Sequence, residues 1–230
     1  MKPKTRNVSL KSISDWLGWG TAPSKSSDLT RPLKYLIGYD GPNPGSNSHI
    51  VECGYDSNFG DIAYCNLFDE KNTGQLGPYL HTSDTASDYD EGQIDPSGPG
   101  WDKNLRTQFE RRKRQNFRYI ELDNPDAYSL DDILRAIKLA NSYGLAVIAK
   151  NPGLLNPKDQ AVYVQACQGI IVEKDAGDPR SMAAIRHNNV PVWFVSFGDP
   201  TWIRGLDITQ YPNMYKSYSR HGEYTTSEDI

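Results

Sequence analysis

FRYIELDNPDAYSLDDILRAIKLANSYGLAVIAKN, residues 117–151, decides the fold. An apolar run leads into Glu121, Asp123, Asn124 and Asp126, which reads as a buried strand ending in a polar turn. Ser129 then stands as an N-cap with Asp132 three residues on, an arrangement resembling a capping box. Leu130, Ile133, Leu134, Ile137, Leu139 and Ala140 make an apolar stripe near helical spacing, and Gly144 falls where a C′ glycine belongs. LAVIAKN, at 145–151, is a second apolar run with a polar end. Strand, helix and strand in this order imply a parallel pair joined by a crossover.

The same grammar extends in both directions. Downstream lie GIIVEKD (169–175), VPVWFVSFG (190–198) and IRGLDIT (203–209). Upstream lie LKYLIGYD (33–40), IVEC (50–53), IAYCNLF (62–68) and a weaker YLH (79–81). Helix patterns fill 101–115, 157–167 with Pro157 at its first position, and 178–188 behind an Asp-Pro pair. About eight near-continuous apolar strands in a chain of this length fit a single-domain α/β (β/α)8 TIM barrel. Residues 31–212 form that barrel in this reading, after a polar segment at 1–30 and before a polar tail at 213–230. A polar, acidic stretch at 82–104 reads as a loop beside the site. The alternative is an open doubly wound sheet, which usually carries a glycine-rich phosphate loop; no GxGxxG or GxxxxGK[ST] is present.

Composition narrows the partners. The 230 residues are 37% hydrophobic, enough for a sizeable core, and the net charge of −4 argues against nucleic acid. The one basic run, Arg111 to Arg114, reads as a solvated helix face. No apolar run reaches membrane-spanning length, so no membrane partner is expected. The first residues lack the apolar core of a signal peptide, which leaves secretion as a processed form and a cytoplasmic location both open. Cys53, Cys65 and Cys167 have no metal-ligand spacing; Cys167 reads as a buried thiol, and a Cys53–Cys65 pair stays open. No EF-hand pattern occurs in the acidic loop, and neither metal nor cofactor is expected. Fourteen Tyr and five Trp are many; most belong in a core, and any on loops suit the apolar faces of sugar rings.

Barrel sites lie at the C-terminal ends of the strands. Those ends supply Tyr39 with Asp40, Asn66, His81, Glu121 with Asp123, Lys150 with Asn151, Glu173 with Lys174, Ser196, and Asp207 with Thr209. Side chains alternate along a strand, so Tyr119, Glu121 and Asp123 face the barrel interior while Ile120 and Leu122 face the helices. Asp123 then stands at the rim and Glu121 deeper, where a buried carboxylate needs a partner; Lys150 on the next strand is the candidate. Lys150 and Asn151 are also candidates to hold Asp123 ionised. Two carboxylates across a barrel mouth equip a glycosidase, one to attack the anomeric carbon or activate water, the other to protonate the leaving oxygen. Each acid alone has an ordinary reading: Asp123 as a turn cap, Glu173 as the ion-pair partner of Lys174 or Arg180.

FRYIELDNPDAYS, then YGLAVIAKN, then GIIVEKD resembles the glycoside hydrolase family 114 domain, the endo-α-1,4-polygalactosaminidase-like barrels. That family shows a GFDGVEPDNVDGY-like strand end, a GLSVGLKN-like strand and a strand ending in a glutamate. Order and spacing agree over roughly 101–200, and Trp101-Asp102 echoes a Trp and Asp before the family's equivalent helix. The resemblance implies a glycoside hydrolase with Asp123 as nucleophile and Glu173 as acid/base, cleaving an amino-sugar polymer of α-1,4-linked galactosamine or its N-acetyl form. It implies that Asn124, Asp126, Lys150 and Asn151 shape the sugar subsite; the strand-end reading, apart from the resemblance, adds Tyr39, Asp40, His81, Glu121 and Ser196 as candidates to bind substrate. The glutamate strand departs from the family in reading VEK rather than NEE, and residues 31–100 do not follow the family pattern. Two alternatives remain: a barrel that binds a glycan without cutting it, and a metal-dependent phosphodiesterase using Glu121-x-Asp123. The latter also wants a His-Arg-Gly that this chain lacks, and no G-x-S-x-G marks a serine hydrolase.

Overall fold

A computed structural model of the protein describes residues 27–36, 50–53, 59–68, 79–81, 92–173, 190–209 and 211–219. Eight parallel strands form one sheet. In spatial order they are β1 (Leu33–Leu36), β2 (Ile50–Cys53), β3 (Ile62–Asn66), β6 (Tyr119–Asp123), β7 (Ala146–Lys150), β8 (Gly169–Glu173), β9 (Val192–Phe197) and β10 (Met214–Ser219). The remaining two, β4 (Tyr79–His81) and β5 (Gln93–Ile94), pair antiparallel in a separate hairpin. The first and last strands of the large sheet come into contact, so the sheet curls into an α/β barrel. Two contacts cross the same side: Trp193 Nε1 donates to the Arg31 carbonyl at 2.7 Å, and the rings of Tyr35 and Phe197 lie 5.9 Å apart.

Alternation divides the strands between two cores. Ile120, Leu122, Val147, Ala149, Ile170, Val172, Val192 and Phe194 pack outward against helices α1 (Pro99–Arg114), α2 (Leu130–Ser142) and α3 (Pro157–Gln165) and a short helix α4 (Thr201–Gly205). Leu33, Tyr35, Ile62, Tyr119, Ile148, Ile171, Trp193 and Val195 fill the interior. The interior is crowded at β8, where a Cβ on Gly169 would lie 2.8 Å from the Trp193 ring. Leucine-sized and aromatic side chains buried in this way contribute about 1.5–3 kcal/mol each.

The helices begin and end where the residues direct. The Ser129 hydroxyl accepts the Asp132 N–H at 3.2 Å and donates back to its carboxylate at 2.5 Å. Gly144 takes φ of 77° behind α2, a value that L side chains rarely adopt. Asn156 caps α3 by accepting the N–H groups of Lys158 and Asp159, with Pro157 at the first helical position.

Several expectations are corrected. Residues 203–209 are not a strand: Asp199 Oδ1 accepts the Thr201 N–H at 2.9 Å and starts α4 instead. The eighth strand is Met214–Ser219, inside the stretch read as a polar tail. Its alternation sends Met214 and Tyr218 toward the helices and Tyr215 inward. Tyr79–His81 belongs to the hairpin and not to the barrel, which leaves Asp123, Lys150 and Glu173 at the ends of the fourth, fifth and sixth barrel strands. Within the expected loop at 82–104, α1 already starts at Pro99. The helix expected at 178–188 lies outside the described residues. Arg112, read as part of a solvated run, is 1% exposed.

Candidate functional site

The interior becomes polar at the C-terminal end of β6, β7 and β8. Glu121 sits below Asp123 on the inward face of β6, as alternation requires. Lys150 ends β7 on the same face, and its ammonium is the hub of the cluster. Nζ lies 2.8 Å from Glu121 Oε1, 3.1 Å from Glu173 Oε1 and 3.9 Å from Asp123 Oδ1. It also donates to the Tyr35 hydroxyl and stands 4.9 Å from the centre of that ring. Tyr35 in turn donates to Glu121 Oε1 at 3.2 Å.

Burial separates a floor from a rim. Lys150 and Glu121 are 1% and 0% exposed, whereas the Asp123 and Glu173 side chains are 24% and 22% exposed. A buried ion pair recovers its desolvation cost only with good geometry and further hydrogen bonds, and Tyr35 supplies one such bond. The two rim carboxylates remain within reach of a ligand. Their oxygens Oδ1 and Oε1 are no farther apart than the two contacts to Lys150 Nζ, 3.9 and 3.1 Å, laid end to end.

Each rim carboxylate has its own support. Asp123 Oδ2 accepts from the Tyr64 hydroxyl at 2.9 Å, and Oδ1 from the Asn124 N–H at 2.9 Å. Glu173 is held by Asn151 through both ends of one amide: Nδ2 donates to Oε2 at 2.8 Å, and Oδ1 accepts the Glu173 N–H at 2.9 Å. Asn124 and Asn151 both adopt the left-handed region, with φ of 58° and 43°, which asparagine tolerates better than most residues. Behind the site, the buried Tyr163 hydroxyl accepts the Lys150 N–H at 3.1 Å. Burial raises the Tyr163 phenol well above its ordinary value, so it stays protonated.

The structure thus brings Glu121, Asp123, Lys150, Asn151 and Glu173 together, with Asn124 at the edge. Lys150 neutralises Glu121, as the alternation argument requires. Asn151 serves Glu173 rather than Asp123. Asn124 turns its amide to Asn66 Oδ1 at 2.8 Å. Asp126 is exposed on the turn after Asn124. Ser196 shares the outward face with Phe194, is fully buried and donates to the Asp199 carbonyl at 3.0 Å, so it does not join the cluster. Asp207 is exposed and bound to Thr209, whose hydroxyl and N–H lower its carboxyl below the ordinary value. Tyr39 and Asp40 lie outside the described residues, as do Lys174, Arg180 and the Cys53 and His81 side chains. His81 has its backbone in the separate hairpin. Cys65 and Cys167 are both buried, and burial pushes the Cys167 thiol up.

Three contributors were missed: Tyr35, Tyr64 and Arg112. Parity gives the inward face for both tyrosines, Tyr64 standing two residues before Asn66, but not the reach of their hydroxyls to carboxylates on another strand. Trp101 is a core residue whose Nε1 donates to the Leu67 carbonyl at 3.1 Å, with the Arg135 guanidinium 4.7 Å from its ring. A divalent cation on Glu121-x-Asp123 would have to displace the Lys150 ammonium, which already occupies the space beside both carboxylates.

No family model and no curated protein sequence matches the chain. Among solved structures, it is similar to Aspergillus fumigatus Ega3, in a crystal complex with galactosamine. The TM-score is 0.71 at 10% identity, covering 91% of this chain and 98% of that one. A weaker likeness is to the glycoside hydrolase domain of PelA from Pseudomonas aeruginosa, with a TM-score of 0.44 at 12% identity over 73% of this chain and 81% of that one. The chain therefore has the α/β-barrel fold of Ega3, the architecture that its resemblance to glycoside hydrolase family 114 implies.

Proposed function

We propose that this protein is a retaining glycoside hydrolase acting on an amino-sugar polysaccharide of the α-1,4-galactosaminan type. The observation that carries the reading is the pair of partly exposed carboxylates, Asp123 and Glu173, joined through one ammonium on the strand between them. The ceiling on one oxygen pair admits the ~5–5.5 Å separation of a retaining pair.

In the first step, an Asp123 oxygen bonds to the anomeric carbon. The glycosidic C–O bond breaks, and the Glu173 proton passes to the leaving oxygen. In the second, Glu173 takes a proton from water as the water oxygen bonds to the same carbon, and the Asp123 carboxylate is released. Asn151 orients Glu173 for both proton transfers, and Lys150 fixes the charge between the two acids. Three carboxyl groups around one ammonium make the described site acidic even while Glu173 carries the proton it donates, which favours a polymer carrying protonated amines. That the similar barrel of Ega3 was crystallised with galactosamine supports the same sugar class.

The test is incubation with α-1,4-galactosamine polymers, deacetylated and N-acetylated, with new reducing ends counted and the first-formed anomer read by proton NMR. Cleavage with retained configuration is expected. An inverted first product would overturn the nucleophile role of Asp123. Glycan binding with no cleavage would make the protein a binding barrel.

A further inference from the structure

We propose that Tyr64 is a positioning residue for the Asp123 carboxylate, its proton directed onto Oδ2 by Asn66. The inference rests on the glycosidase reading above and assigns a role to a β3 side chain that the family resemblance does not reach.

The direction of each proton follows from chemistry. Asn66 Oδ1 meets two groups that can only donate there, the Phe68 N–H at 2.9 Å and Asn124 Nδ2 at 2.8 Å. That fixes the amide's orientation, so its nitrogen faces the Tyr64 hydroxyl, at 3.0 Å. Tyr64 accepts from Asn66 and therefore turns its own proton to Asp123 Oδ2, at 2.9 Å. With the Asn124 N–H on Oδ1, the carboxylate is held by one donor on each oxygen, which sets the plane from which it attacks. When the covalent intermediate breaks down and charge returns to Asp123, the Tyr64 hydroxyl is already in place to receive it.

The strand beneath is fixed from the helix layer. Gln108 takes the Asn66 N–H at 2.8 Å and donates to the Asn66 carbonyl at 2.7 Å. One turn along α1, the buried Arg112 donates to the Tyr64 carbonyl at 2.9 Å. Both residues that aim the proton are thus gripped by their backbones from outside the barrel. A surface arginine run would have no reason to send one member inward; Arg112 has this one.

The test compares the wild type with Tyr64→Phe and Asn66→Asp on a polymer the wild type cleaves. Tyr64→Phe keeps the ring and removes only the hydroxyl. Asn66→Asp keeps the acceptor for Phe68 and Asn124 but replaces the donor, so the Tyr64 proton gains a rival acceptor. Both variants should lower kcat without raising KM, Tyr64→Phe by about 100-fold or more, the loss that follows from removing one preorganised donor. Both should move the acidic limb of the kcat/KM profile to higher pH, because a donor that favours the ionised nucleophile has gone. A merely structural role would lower the melting temperature and leave that limb in place. Wild-type kcat and an unmoved limb in Tyr64→Phe would overturn this inference alone, even if Asn66→Asp failed to fold. A wild type that cleaves no polymer would overturn the glycosidase reading and this inference with it.

Discussion

The corners that follow β6 and β7 use one backbone and serve two purposes. In each, an inward charged residue ends the strand, an asparagine turns left-handed, a proline opens a 3₁₀ turn, and the N-cap of the next helix stands five residues beyond the asparagine. The residues are Asp123, Asn124, Pro125 and Ser129 in the first, and Lys150, Asn151, Pro152 and Asn156 in the second. The Asn124 amide reaches back to β3 and Asn66; the Asn151 amide reaches forward to β8 and Glu173. The backbone device ends each strand on a charge, Asp123 at the rim and Lys150 on the floor, and the two asparagines find different neighbours. The repeat builds the site's two halves from one plan, with the support of Asp123 behind it and the support of Glu173 ahead.

The largest way to break the second corner is at its charge. Lys150→Met leaves Glu121 buried without its cation, which costs about 3–5 kcal/mol and shows as a fall in chemical-denaturation stability. The matching change in the first corner, Asp123→Asn, removes a partly exposed charge and should cost well under half of that.

Replacing each corner asparagine by glycine sharpens the comparison, since glycine keeps the left-handed backbone and deletes only the amide. Asn151→Gly removes two hydrogen bonds to Glu173 and should lower kcat about 10- to 100-fold. Asn124→Gly leaves the Asn124 N–H and Tyr64 on Asp123 and should lower kcat less. Equal losses would contradict the division of labour.

The caps should behave alike. Ser129→Ala and Asn156→Ala each remove an N-cap acceptor and should cost about 1 kcal/mol in thermal or denaturant unfolding, with little change in kcat.

The smallest effect lies away from both corners. The Ser97 hydroxyl and N–H hold the exposed Asp95 carboxyl below its ordinary value. A lowered folded-state value stabilises above the unfolded one, and the stability is lost as pH falls through the folded one. Melting temperatures between about pH 5 and pH 3 should therefore fall slightly more steeply in wild type than in Asp95→Asn.

The region of the two corners was the most legible part of the sequence, and the reason is physical. Residues 117–173 carry strand alternation, helical stripes, N-caps and a C′ glycine that agree with one another. Local consistency placed Glu121 inward, Asp123 at the rim and Lys150 beside Glu121. Met214–Ser219 offered no such agreement: MYKSYS is short and polar, and it becomes a strand because β9 pairs with it. IRGLDIT looked like a strand by hydrophobicity, while the deciding signal was an aspartate two residues ahead of a short helix. Arg112 was hidden because a run of four basic residues does not reveal which one faces the sheet; helical spacing from the inward Gln108 does. Tyr64 was hidden because a buried aromatic reads as core, and its hydroxyl's partner sits on another strand. Ser196 was misplaced by attention to the strand end without its parity.

The most direct measurement is the rate of polymer cleavage by wild type, Asp123→Asn and Glu173→Gln side by side, with Ser196→Ala as the variant outside the cluster. Asp123→Asn and Glu173→Gln should each lose about a thousandfold or more in kcat/KM at near wild-type melting temperatures, while Ser196→Ala stays within a few fold of wild type. Near wild-type cleavage by either carboxylate variant would contradict the assignment of Asp123 and Glu173 as the working pair.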